Sequence, residues 1–205
     1  MTDDSTVEQL MFDEEFGCSI VSEPLSRNID FILSDLQTAR GAAFVTLLKE
    51  ITKHPAYSAL KSDPNIYTTG GESGEDYDNL LNAARKAVEH GYRVFILLNP
   101  KGFRTADFVF ERKGVYKMFD LKTIIGKNSV DNRLRESMGQ TNRVILNISV
   151  DYNSSVLARS IKRYFEHNSD ALEVIVLKGR KLLSVTRDLM LSSDFYRIFM
   201  KRYQK

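Results

Sequence analysis

Thr105-Ala106-Asp107-Phe108-Val109-Phe110 and Tyr116-Lys117-Met118-Phe119-Asp120-Leu121-Lys122-Thr123 are the two stretches on which the reading of the fold turns. Both are apolar and β-branched or aromatic enough for strands. The first carries one carboxylate in an otherwise apolar run. The second carries a carboxylate and an amine two residues apart, and alternation along a strand places Asp120 and Lys122 on one face and Phe119 and Leu121 on the other. Gly114 supplies a turn that folds the two strands into a hairpin and brings Asp107 beside them. Two carboxylates and a lysine at the edge of a sheet suit a divalent cation and an activated water. That chemistry points to phosphodiester hydrolysis.

Working outward, the pattern predicts a helix over residues 75–90 stopped by Gly91, a strand over 93–98, the hairpin, and a helix over 129–140. A strand over 143–150, a helix over 154–167, strands over 172–177 and 182–185, and terminal helices over 187–190 and 194–202 follow. The order αβββαβαββα indicates an α/β fold with a mixed central sheet flanked by helices. Upstream, residues 28–39 and 40–53 have helical apolar spacing. The glycine-rich stretch Thr68-Thr69-Gly70-Gly71-Glu72-Ser73-Gly74 marks the expected boundary between a helical N-terminal extension (1–70) and the sheet domain (71–205).

Composition sets the outer bounds. The chain has 205 residues, 42% of them hydrophobic and 27% charged, as in an ordinary globular protein. No apolar run approaches the roughly 20 residues of a membrane span, and the polar, acidic start is no signal peptide. The expectation is a cytoplasmic protein without a membrane partner, delivery into another cell being compatible with it. Cys18 is the single cysteine, which excludes an intramolecular disulfide framework and a cysteine-rich zinc site. The histidines have no zinc-ligand spacing, and the glycine-rich stretch lacks the lysine of a phosphate-binding loop.

The net charge of +2 is unevenly distributed. No Lys or Arg precedes Arg27, whereas Asp3, Asp4, Glu8, Asp13, Glu14, Glu15 and Glu23 do. The C-terminal region is basic, and Lys178, Arg180 and Lys181 around Gly179 form a basic hairpin tip able to touch a nucleic-acid backbone. In the helix over 129–140, Ser129, Arg133, Glu136 or Ser137, and Gln140 recur at helical spacing opposite Val130, Leu134 and Met138. Arg133 is thereby placed to meet a phosphate.

The ordered set of a helix, Gly91-Tyr92-Arg93-Val94, Ala106-Asp107-Phe108, a hairpin, Asp120-Leu121-Lys122-Thr123 and a helix ending in Gln140 resembles the PD-(D/E)xK nuclease superfamily. It is similar to the tRNA-cleaving C-terminal domains of contact-dependent growth inhibition toxins with that fold. The resemblance covers residues 78–148 and implies a restriction-endonuclease-like core. It also implies Mg²⁺ or Mn²⁺ at Asp107, Asp120 and the Leu121 carbonyl, with Lys122 orienting the attacking water and Gln140 assisting from the next helix. Ala106 stands where the family often has proline, which supplies no chemistry. The family's additional acid on the helix before Gly91 falls among Glu75, Asp78 and Asn82, with Asp78 preferred. By resemblance the substrate is RNA, tRNA ahead of DNA, and such toxins travel with an immunity protein. The competing reading is a non-catalytic interaction module whose contacts are made by the helices of residues 28–61.

Overall fold

The structure, a computed structural model, describes residues 27–71, 73–97, 106–126 and 129–204. Thr105 and the acidic first segment therefore lie outside the described residues. Two helices open the chain, α1 (Ile29–Asp35) and α2 (Gly41–Lys53), followed by short strands β1 (Ser58–Ala59) and β2 (Ile66–Thr68). Then come α3 (Glu75–Glu89), β3 (Arg93–Ile96), β4 (Phe108–Arg112), β5 (Val115–Ile124), α4 (Val130–Glu136) and β6 (Arg143–Ile148). The chain closes with α5 (Ser154–His167), β7 (Glu173–Lys178), β8 (Lys181–Thr186), α6 (Arg187–Leu191) and α7 (Phe195–Gln204). The described residues thus form an α/β fold with seven helices on an eight-stranded mixed sheet, in the order β1 to β8.

Local chemistry explains the element ends. Gly91, at φ +81°, ends α3: its N–H donates to the Val88 carbonyl and that of Tyr92 to the Ala87 carbonyl, a left-handed stop that favours glycine. Lys113 and Gly114, both at positive φ, make the two-residue turn of the β4–β5 hairpin. Asn153 caps α5 through its side-chain oxygen, which accepts from the N–H groups of Ser155 and Val156.

β5 is the pivot of the sheet. Its first half pairs antiparallel with β4, the last such pair being Phe119 with Phe108. Its second half pairs parallel with β6, the first pair being Asp120 with Val144. β4 and β6 lie on opposite edges of β5, so the strand changes neighbours between Phe119 and Asp120.

Three apolar clusters clothe the sheet. On one face α3 packs Ala83, Ala84 and Ala87 against Phe108, Phe110, Phe119, Ile145 and Ile175. On the other face there are two groups of helices. α1 and α2 cover β3, β4 and the first half of β5, through Phe95, Val109 and Met118. The helices α4 to α7 cover Ile124 and the alternate residues of β6, β7 and β8.

Some expectations shift. On the N-terminal side of the boundary expected at residue 70, β1 and β2 join the sheet, β2 pairing parallel with β3, and α1 and α2 share a core with Phe95 and Leu97. The helix expected to run to Gln140 ends at Glu136, one turn early. Gly139 takes φ +82°, and Ser137, instead of joining the polar stripe, is fully buried with its hydroxyl bonded to the Leu134 carbonyl.

Candidate active site

The divergence of β4 from β5 creates the site. Asp107 immediately precedes β4; its N–H donates to the Phe119 carbonyl at 2.9 Å, and its own carbonyl accepts from Leu97 at 2.8 Å. Beyond that point the Leu121 N–H has no β4 backbone partner, and the Asp107 Oδ2 accepts it at 2.6 Å. A side chain thus ends the ladder where backbone no longer can. Asp120 and Lys122 share the face of β5 that carries Met118 and Ile124, so they sit in the gap between the two helical groups.

Asp120 is 2% exposed. The Lys122 ammonium stands 2.9 Å from its Oδ2 and 3.2 Å from its Oδ1. Only the Oδ1 contact has hydrogen-bond geometry, leaving the buried Oδ2 with electrostatic contact and no hydrogen bond. Burial pushes the Asp107 carboxyl up to about 7, and the negative charge of Asp120 adds to this against the Leu121 N–H and Lys122. Burial also raises Asp120, although Lys122 pulls it down; the charge of Glu136 on α4 adds a smaller upward push. Protonated Asp107 also hydrogen-bonds Asp120 and lowers it, so a buried carboxylate pair that holds one proton beside one lysine is poised to exchange that proton for a cation.

The residues present fit a divalent ion of the magnesium class. Such an ion needs one or two carboxylates and otherwise keeps waters or takes substrate phosphate oxygens, and the unbonded Asp120 Oδ2 is a ready ligand atom. Among the described residues no cluster of three or more His, Cys, Asp or Glu side chains is disposed around one metal position. Asp78 does not join the pair: it is exposed on α3, the helix packed on the opposite face of the sheet.

The remaining expected residues are spread out. Gln140 lies in the turn after α4, its amide donating to the Glu136 carbonyl, while Arg133 pairs with Glu136 at 2.9 Å. Lys178, Arg180 and Lys181 do form a hairpin tip, but on β7 and β8, at least two strands from β5. All three are engaged there, Arg180 with Glu89 at 3.7 Å. Lys178 pairs with Asp151 at 3.1 Å and lies over the Tyr203 ring, and Lys181 donates to the Tyr203 carbonyl.

The sequence reading missed a groove of about 850 Å³ that starts beside the site. Ala106 and Met118 line it, the one adjacent to Asp107 and the other two residues from Asp120 on the same strand face. The alternation that paired Asp120 with Lys122 also puts Met118 and Tyr116 on that face, and this was the available signal.

Residues 104–182 match the family described as the contact-dependent growth inhibition CdiA C-terminal domain. The match takes in Asp107, Asp120 and Lys122 and ends in β8, covering less than half of the chain. Among solved structures the chain is similar to one from the CdiA-CT/CdiI toxin and immunity complex of Burkholderia pseudomallei. That overlay covers 57% of this chain and 92% of the other, at 18% identity and a TM-score of 0.38. At that score it carries no argument about site or substrate. No curated protein matches the chain.

Proposed function

We propose that this chain is a metal-dependent endonuclease of the toxin type, hydrolysing phosphodiester bonds in RNA, with tRNA ahead of DNA. The observation that carries the proposal is the buried Asp107–Asp120 pair with Lys122 at 2.9 Å, set where β5 changes neighbours. The similarity of residues 104–182 to a toxin-domain family supports it.

In this reading Asp107 and Asp120, with the Leu121 carbonyl, hold Mg²⁺ or Mn²⁺. The ion would neutralise phosphate charge and lower the pKa of a bound water. The Leu121 N–H fixes the Asp107 carboxylate, so one ligand is oriented before substrate arrives. Lys122 is 15% exposed in its side chain, which restricts its ammonium to the space beside Asp120. There it orients the attacking water and meets the negative charge that builds on the phosphate. Gln140 and Arg133 flank the site from the α4 end as contacts to the substrate backbone. The proposed setting is the cytoplasm of a target cell, with an immunity protein as partner. Among the described residues no helix is long and apolar enough to cross a membrane.

The test is incubation of the purified chain with total tRNA and with plasmid DNA, in Mg²⁺ or EDTA, beside Lys122→Ala. Cleavage of one polymer that needs both the ion and Lys122 is the expected result. Intact substrates under every metal condition refute the proposal and leave a binding module.

A further inference from the structure

The groove beside the site is a feature that the hydrolytic residues leave unexplained. It runs between two separate parts of the fold. α1 and α2 give one wall, with Leu36, Phe44 and Val45; the turn after α4 and the start of β6 give the other, with Gln140, Asn142 and Arg143. Tyr116 and Met118 of β5 line it between them. Val45 and Leu172, at 40% and 41% exposure, are large apolar side chains left open to solvent along it.

The lining is mainly apolar, with Arg40 at the α1–α2 wall and Asp170 the one carboxylate among the described lining residues. The Arg143 Nε is buried and makes no hydrogen bond. Its nearest carboxylate, Glu173, is 3.6 Å away and already takes Lys117 at 2.7 Å and Ser184 at 2.6 Å. Strand alternation puts this guanidinium with Ile145 and Glu173 on the α3 face of the sheet, so Arg40 is the cation that the groove itself presents.

We propose that this groove holds an unpaired nucleotide next to the scissile phosphate, so that the chain acts on single-stranded stretches of nucleic acid. The inference rests on the nuclease reading. Met118 is two residues from Asp120 on one strand face, about 7 Å away, close to the separation of successive phosphates in an extended strand. A strand crossing the Asp107–Asp120 pair toward Met118 thus places its neighbouring nucleotide in the groove. The apolar side chains of Tyr116, Met118 and Phe44 match the flat face of a base, which is free to stack only when unpaired. The Asn142 side chain in the lining offers the amide donor and acceptor that a base edge requires.

The test uses full-length Lys122→Ala protein and fluorescence anisotropy with a short fluorescein-labelled single-stranded RNA. The same RNA annealed to its complement and a matching single-stranded DNA are the other probes. Single strands should bind at least roughly tenfold more tightly than the duplex, and the RNA and DNA arms establish whether the 2′-hydroxyl is read. Val45→Glu and Arg40→Glu, both at exposed positions, should each weaken single-strand binding about fivefold or more. In the active protein they should raise KM and leave kcat on a saturating substrate near that of the parent. Leu172→Glu replaces Val45→Glu if the latter melts below the parent. Equal binding of duplex and single strand, or variants that bind like the parent, overturn the inference. In that case the groove serves another occupant, such as a protein segment. If the wild-type chain cleaves while KM is unchanged in the variants, the groove assignment alone falls. If it cleaves nothing in Mg²⁺, the nuclease reading falls instead.

Discussion

Replacing Asp107 by Asn should make the metal-free protein more stable near pH 8 while abolishing its activity. In the native fold the carboxyl is buried beside Asp120, and its pKa is raised from 3.8 to about 7. The stability this proton confers is fully present below the unfolded value and is lost as pH rises through the folded one. Above both values the ionised native state carries the whole cost: about three pH units at 1.36 kcal/mol each, or ~4 kcal/mol. At pH 5 only the first unit or so has accrued, and the cost is below ~2 kcal/mol. Asparagine keeps the shape, and its side-chain oxygen can still accept the Leu121 N–H, although a neutral acceptor forfeits about 1 kcal/mol of a charge-assisted bond. Urea unfolding in EDTA should therefore show Asp107→Asn more stable than the parent by about 2–3 kcal/mol at pH 8 and nearly equal to it at pH 5. Millimolar Mg²⁺ should narrow the gap at pH 8 by stabilising the parent and not the variant. A variant less stable than the parent at pH 8 in EDTA, or an advantage that does not change with pH, would refute the repulsive-pair argument.

Three further outcomes are expected. Lys122→Met should lower kcat by about 100-fold or more and, by leaving the buried Asp120 without its cationic partner, should also lower the melting temperature, more at pH 8 than at pH 5; single-turnover cleavage assays and thermal melts check this. Arg187→Met should cost about 2–4 kcal/mol in urea unfolding, since its guanidinium donates to the carbonyls of Ala171, Phe165 and Asn168 and lies over the Phe165 ring. Asn147→Leu should cost about 1–3 kcal/mol: Asn147 is 1% exposed and accepts from the Lys86 ammonium at 2.6 Å, so its loss strands an amine whose pKa burial already lowers. Thermal melts of Asn147→Leu beside the double variant Lys86→Met/Asn147→Leu would separate the stranded amine from lost packing, the double variant recovering most of the loss.

The parts of the fold legible in the sequence were those with strong local signals. α3 and its stop at Gly91, the turn at Gly114 and the helix expected over 154–167 each rest on residues close in sequence, and the structure places them within a residue or two of expectation. β1 and β2 were not legible. At two and three residues they are too short for a periodic pattern, and pairing with β3, nearly thirty residues downstream, makes them strands. The helix expected to reach Gln140 failed for a related reason. Its polar spacing continued past Glu136, but Gly139 and the buried Ser137 ended it, and a count of spacing does not weigh a single glycine. At the site, Asp107, Asp120 and Lys122 were readable because strand alternation and one hairpin suffice to bring them together. Asp78 was not decidable from spacing, since the face of the sheet on which α3 packs is a tertiary fact.

That the readable residues and the unreadable groove meet at one place follows from the course of β5. A strand with the same two neighbours along its whole length would satisfy the Leu121 N–H with backbone and leave no gap in the covering layer. Here β4 departs at Asp107 and β6 joins at Asp120, so one amide needs a side-chain acceptor and one face needs two separate groups of helices. The acceptor is a carboxylate, and the interval between the helix groups leaves room beside it. The cost of the charge buried there is the strongest physical reason to expect a cation. Ala106 and Met118, near neighbours of Asp107 and Asp120 in the chain, line the groove between α1–α2 and the α4–β6 turn. The helices before residue 54 therefore shape the approach to the site, and removing them should raise KM as well as expose the Phe95 and Val109 core.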